Sequence, residues 1–186
     1  GAPTRLKIRA ETLSGTLEAL RGGLADLALG VSADASLPDI QTAPMGQLRF
    51  VFAVAPHHPL ASAKEPLDSE EIQRHRAVAA ADSSQRGRGV TVNLLPGQDV
   101  LTVATMQHKL EAQLRGLGCG WLPLPLARPY LDAGRLVAKP VSQPRRHMRV
   151  GYVWRAGSGE GRALAWWLAQ VEQPRTRLAL LENHHQ

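Results

Sequence analysis

Leu6 and Ile8 alternate with Arg5, Lys7 and Arg9, the period-two pattern of a half-buried strand. Ser14 then offers an N-cap hydroxyl, and Leu17 and Leu20 form one helical stripe that Gly22-Gly23 stops. Residues 24–31 are an apolar run interrupted only by Ala25-Asp26, which predicts a parallel strand buried on both faces and hence a β-α-β unit with a right-handed crossover. After a small-residue loop over 32–39, residues 40–45 and 48–55 read as two further strands, closed by the Pro-rich turn at 56–59. Asp68 or Ser69 caps a short helix through Arg74, residues 77–81 read as a small-residue strand, and 82–89 as a polar loop.

The clearest writing in the chain lies at 105–123. Thr105 stands at an N-cap, Met106, Leu110 and Leu114 recur at helical spacing, and Gly116 and Gly118 end the helix. Residues 119–122 are too short and too apolar to be anything but a strand, and Pro123 stops it. A strand over 98–103 precedes this helix, a short helix over 125–131 follows it, and 136–138 forms a short strand. Residues 149–154 alternate Val150, Tyr152 and Trp154 along another strand. Gly157-Ser-Gly leads into a helix bearing Leu164, Trp167, Leu168 and Val171 that Pro174 ends, and the tail from Arg175 has helical character at 178–181.

Three of these motifs, taken in order, resemble the effector-binding domain of LysR-type transcriptional regulators. They are the Gly15 to Val31 run with its Gly22-Gly23 break and Asp26-Leu-Ala, the strand ending in His58-Pro-Leu60, and Arg115-Gly-Leu-Gly118 leading to Leu122-Pro123. The resemblance covers roughly residues 4–172. It implies an α/β fold of two Rossmann-like lobes, periplasmic-binding-protein-like of type II, and N-terminally truncated. A strand and a helix, preceded by a linker helix and a winged helix-turn-helix, come before this point in the family and are not in this sequence. Lobe I is expected from residues 1–53 and 140–173, lobe II from 54–139, with 174–186 as a C-terminal tail; the two crossings form a hinge. One departure stands out: residues 90–95 are β-branched and run into Pro96-Gly97 where many relatives open a full helix.

By the same resemblance, a small effector, an organic acid or amino acid, binds between the lobes and biases their arrangement, which alters DNA binding by the missing domain. The family implies a homodimer or tetramer, and loss of the leading helix predicts weak, altered or aggregation-prone association. The residues implied at the cleft are Ser32, Ser83, Ser84, Thr105, Met106, Lys109 and Cys119. For each hydroxyl a cap or turn contact is the commoner role, Lys109 suits an exposed solvated lysine equally, and a strand cysteine flanked by glycine is more often inert packing than a redox sensor.

Composition narrows the alternatives. With 186 residues, 44% of them hydrophobic, the chain has material for one large domain or two lobes. The single cysteine excludes an internal disulfide framework, no apolar run approaches membrane-spanning length, and the charged start at Arg5 to Arg9 does not resemble a signal peptide, so a cytoplasmic protein is expected. The net charge of +6 is spread over the chain, densest at Arg86 with Arg88 and Arg145 with Arg146, and is not interleaved with aromatics as a stacking platform for single strands requires. Direct nucleic-acid binding is therefore not indicated, and DNA is reached only through the absent N-terminal domain. His57-His58 and His184-His185 lack partners at metal-ligand spacing. The Gly116-x-Gly-x-Gly120 run follows a helix instead of opening one, and no Gly-x-Ser-x-Gly elbow is present. No metal, cofactor or enzymatic constellation is expected. A transporter's solute-binding protein shares the architecture and stands as the alternative.

Overall fold

The structure is a computed structural model that describes residues 5–34, 37–85, 90–142, 147–155 and 161–182. In chain order the elements are α1 (Ser14–Arg21), β1 (Leu27–Ser32), β2 (Ile40–Val54), a single 3-10 turn (Pro59–Ala61), α2 (Ser69–Gln73), β3 (Ala77–Ala80) and β4 (Val100–Val103). They continue with α3 (Met106–Leu114), β5 (Gly120–Pro123), α4 (Leu124–Asp132), β6 (Val137–Ala138), β7 (His147–Arg155), α5 (Arg162–Glu172) and α6 (Pro174–Glu182).

The helix starts follow from local chemistry. The Thr105 hydroxyl accepts the His108 N–H at 3.1 Å and opens α3, and the Asp68 carboxylate accepts the Glu71 N–H at 2.7 Å and opens α2. At the other end of α3, Gly116 takes φ +72°, the left-handed turn that lets the chain leave the helix and enter β5.

β2 organises both sheets. Its first part runs antiparallel to β7, which is itself antiparallel to β1, giving the order β1-β7-β2. Its last residues pair antiparallel with β5 and β6. β3 and β4 form a parallel pair, joined to the start of β5 by a parallel bridge in which Val78 N–H donates to Cys119 O and Cys119 N–H donates to Arg76 O, both at 2.9 Å. The second sheet thus reads β4-β3-β5-β2-β6. Helices cover both faces of each sheet: Leu20 of α1 packs with Ala28, Val31 and Val153, while Leu168 and Val171 of α5 pack with Met45, Val150 and Tyr152. On the second sheet, Leu110 of α3 and Ala127 of α4 pack with Ala53 and Leu122, and Ile72 packs with Phe52, Cys119 and Trp121 on the opposite face.

Four sequence expectations are corrected. Residues 5–9 form no strand, and Leu6 and Ile8 are 61% and 84% exposed. Alternation supplies a face, but a strand also needs a neighbouring edge, and among the described residues none is paired to this segment. The β-α-β unit expected at the start is accordingly absent from the described residues. β1 is antiparallel to its neighbour and only half covered, with Leu29 exposed, instead of being a parallel strand buried on both faces. Finally, the two strands expected over 40–55 are one strand of 15 residues, kinked where the register shifts between Pro44 and Gly46. α6 does not trail free: Leu181 packs with the α5 cluster and Arg177 donates to Pro44 O at 3.4 Å.

Candidate functional site

α1 begins without a cap of its own. Leu13, at the N-cap position, has φ 51° and provides no side-chain acceptor, and Ser14, expected to cap, is instead the first helical residue. The acceptor arrives from the loop that follows β3. Asp82 Oδ1 accepts the N–H groups of Gly15 (3.1 Å) and Ser84 (3.0 Å), and Oδ2 accepts the Val90 N–H (3.0 Å) and the Ser14 hydroxyl. A carboxylate at the positive end of a helix is electrostatically favourable as well as hydrogen-bonded. Partial burial pushes the Asp82 carboxyl up, but the bonds from Ser14, Val90, Ser84 and Gly15 outweigh it and hold its pKa at about 2.

The neighbouring residues extend this junction between the first sheet's helix and the second sheet's loop. The Ser83 hydroxyl accepts the Thr12 N–H at 2.9 Å and donates to the Thr12 carbonyl at 3.1 Å, and the Thr12 hydroxyl donates to Ala81 O. The Ser84 hydroxyl and the Gln85 N–H, the latter at 3.0 Å, both donate to Glu18 Oε2. A hydrogen bond from Ser83 also holds the Glu11 carboxyl below its usual range, against desolvation and with help from Arg9. Gly15 is required for the approach, because a Cβ there would lie 2.7 Å from Ser83 C and 2.8 Å from Ser84 N.

The candidates named from the sequence fall into separate groups. Ser83 and Ser84 belong to this junction. Thr105 spends its hydroxyl on capping α3, and Met106 packs beside Leu110 and Ala53 in the core. Ser32 closes its own turn by accepting the Asp34 N–H at 3.4 Å. Lys109 does not stand at an opening: it is 6% exposed, and it lines a cavity of about 60 Å³ together with Cys119. Burial lowers the Lys109 pKa to about 8 and raises that of the Cys119 thiol, which donates to Arg76 O at 3.4 Å, to about 11. The thiol is thus protonated and enclosed, the opposite of a reactive thiolate.

Sequence reasoning missed Thr12, Gly15, Glu18 and Asp82. Asp82 follows a short apolar strand and precedes two serines, a pattern that marks a loop, and its partner at Gly15 is 67 residues away. His58 is a turn residue, its Nδ1 accepting the Leu60 N–H at 3.1 Å, and burial, with His75 and His57 nearby, lowers its pKa. Arg86, Arg88, Arg145, Arg146, the His184-His185 pair and Gly157 to Glu160 lie outside the described residues. Among the described residues, no group of three His, Cys, Asp or Glu side chains is placed to hold a metal ion, and no helix is long and apolar enough to cross a membrane.

Comparison with known proteins gives this arrangement a context. The chain is 39% identical over 169 residues to the HTH-type transcriptional regulator YeeY of Escherichia coli, covering 90% of this chain and 54% of YeeY. It spans about half the length of the curated relatives it matches. The regulatory domain of MetR, a LysR family regulator from N. meningitidis, superposes with a TM-score of 0.64 at 18% identity, over 90% of this chain and 76% of that one. Full-length LysG from Corynebacterium glutamicum with bound effector Arg superposes with a TM-score of 0.64 at 20% identity, over 93% of this chain and 58% of that one. These two likenesses show the fold, which is that of the periplasmic-binding-protein-like type II domains. The LysR substrate binding domain family matches residues 4–174, and the chain belongs to it.

Proposed function

We propose that this domain senses a small metabolite between two lobes and passes that binding to a DNA-binding domain carried elsewhere in the full-length protein. The lobes would be residues 1–53 with 140–173, and 54–139. The observation that carries the reading is the junction itself: a loop after a strand of the second sheet closes on the N-terminus of a helix that covers the first, largely through hydrogen bonds of Asp82, Ser83, Ser84 and Glu18 side chains. Hydrogen bonds of this kind exchange partners readily, whereas packed cores do not deform continuously. A ligand offering donors or acceptors to Thr12, Ser83, Ser84 and Glu18 would bind one lobe arrangement better than another and shift the equilibrium by that difference. Ser32, Thr105, Met106, Lys109 and Cys119 stand further from this exchange by their present contacts, with Thr105 positioning α3.

The effector class that fits the family is an organic acid or amino acid; LysG, with Arg bound, is one case among its structural neighbours. The full-length protein would be a cytoplasmic homodimer or tetramer that contacts DNA through its helix-turn-helix, as the naming of YeeY and YhaJ as HTH-type regulators supports. The solute-binding alternative is not favoured, because the matching curated relatives are transcriptional regulators.

The test is promoter binding by the full-length protein, with a panel of small carboxylates and amino acids. Specific binding that one compound alters by tenfold or more, and that Ser83→Ala desensitises, is expected. Metabolite binding with no promoter binding would overturn the regulatory reading.

A further inference from the structure

Lys109 presents a problem that the junction does not solve. Its side chain leaves the first turn of α3 and enters the interior of the second sheet, where the residue is 6% exposed. Among the described residues its Nζ forms no salt bridge and no hydrogen bond, and the atom is not wholly closed off but keeps a little accessible surface. Gly120 lies beside it: a Cβ there would be 3.4 Å from Lys109 Nζ and 3.5 Å from its Cε, in van der Waals contact. The pKa of about 8, lowered by burial, leaves the group mostly an ammonium at pH 7.

The space beside it is a cavity of about 60 Å³. Its walls are mainly apolar, from Phe52, Ile72, Val78 and Trp121. Gln98 and Cys119 on the wall are already committed. Gln98 donates to Ile72 O (3.0 Å) and His75 O (2.9 Å) and accepts the Leu95 N–H, and the Cys119 thiol donates to Arg76 O. A buried cation without a counter-charge costs several kcal/mol, roughly, and the usual remedy is pairing or neutralisation. The positive end of α3 adds to the same field. The volume holds about two waters at roughly 30 Å³ each, or one anion of two or three heavy atoms.

We propose that this cavity is a binding site for a small monovalent anion, a halide or a formate-sized carboxylate, held by the Lys109 ammonium against the Gly120 backbone. The site is separate from the 12–18 and 81–85 junction and does not depend on the effector reading. It would tie α3 to β5 by a charge that the chain itself does not supply, so that anion occupancy stiffens the second sheet.

The experiment is an NMR titration of the ¹⁵N-labelled chain, dialysed free of small anions, with sodium formate in one arm and sodium chloride in the other. Ionic strength is held with sodium gluconate, which is too large for the cavity. Saturable shifts of the Cys119 and Gly120 amides in at least one arm are expected, with none from benzoate, and Lys109→Met should weaken the response at least tenfold. Absence of saturation in both arms, equal binding by Lys109→Met, or an equal response to benzoate would each overturn the proposal. Should Lys109→Met fail to fold, Lys109→Gln makes the same comparison, because it removes the charge and keeps a polar head; undiminished binding by it would count against the site. No DNA or effector enters the measurement, so its failure is distinguishable from failure of the regulatory reading.

Discussion

Asp82 performs a local task, capping α1, from a distant place in the chain, and this makes its contribution measurable at a single residue. Asp82→Ala should cost about 1 kcal/mol in urea unfolding, the usual worth of a helix cap, and should speed hydrogen exchange at the Val90 amide while leaving the His108 amide, capped by Thr105, unchanged. The acid response has a definite sign. Because the folded pKa lies near 2, below the ordinary value of 3.8, the stabilisation is complete above about pH 4 and is lost as pH falls through about 2. His58 acts earlier: its lowered pKa means the buried ring folds neutral, so stability begins to fall as pH drops below its ordinary 6.5. A thermal-melt series against pH should therefore show a decline starting near 6.5 and a second in the acid range where Glu11 and Asp82 protonate, with Asp82→Asn reducing the second and leaving the Glu11 part. Gly15→Ala should open the same junction by collision with Ser83 and Ser84, seen as increased exchange at the Ser83 amide.

Elements are joined by a few buried polar contacts as well as by apolar packing, and α3 shows how. Gln113 is fully buried, and its Nε2 donates to Ala53 O at 2.7 Å and Gly120 O at 3.0 Å, tying α3 to β2 and β5 where those strands pair. Its Oε1 has no hydrogen-bond partner among the described residues, so half of the amide stabilises and half is a desolvation cost. Gln113→Leu should destabilise by about 2 kcal/mol, since two buried carbonyls lose a donor, and equilibrium denaturation would measure it. Gly118→Ala should be worse, because its Cβ would lie 2.5 Å from Arg76 O and push β5 away from β3; a loss above about 2 kcal/mol, or failure to fold, is expected.

For the whole molecule, the exposed apolar surface is the feature to be accounted for. Leu6, Ile8 and Leu24 are exposed, as are Trp166 and Trp167, whose rings meet edge-on at 4.9 Å, and Leu6 and both tryptophans border an open groove of about 400 Å³. Apolar surface of this extent, together with a β1 edge that has no partner strand among the described residues, favours self-association. Sedimentation velocity should show concentration-dependent species, and Ile8→Lys combined with Trp166→Lys should shift them towards monomer without changing the melting transition.

The sequence by itself determined the features whose causes lie within a few residues. The Thr105 and Asp68 caps, the Gly116 stop, the 119–122 strand and the α5 stripe were all readable because donor, acceptor and turn belong to the same stretch of chain. Tertiary structure alone decided whatever depends on a distant partner. Residues 5–9 carry the pattern of a strand and form none for want of an edge. β1 takes its antiparallel setting from β7, more than 100 positions away. The candidate hydroxyls divide between caps and the junction according to what folds against them. Lys109, expected at the cleft opening or as a solvated cation, is enclosed between α3 and the second sheet, and Asp82, unremarkable in its own loop, joins that loop to α1 because the helix start lacks a side-chain cap of its own. Short-range hydrogen bonding and periodicity are written along the chain, whereas an unpaired edge or an uncapped helix is satisfied in space.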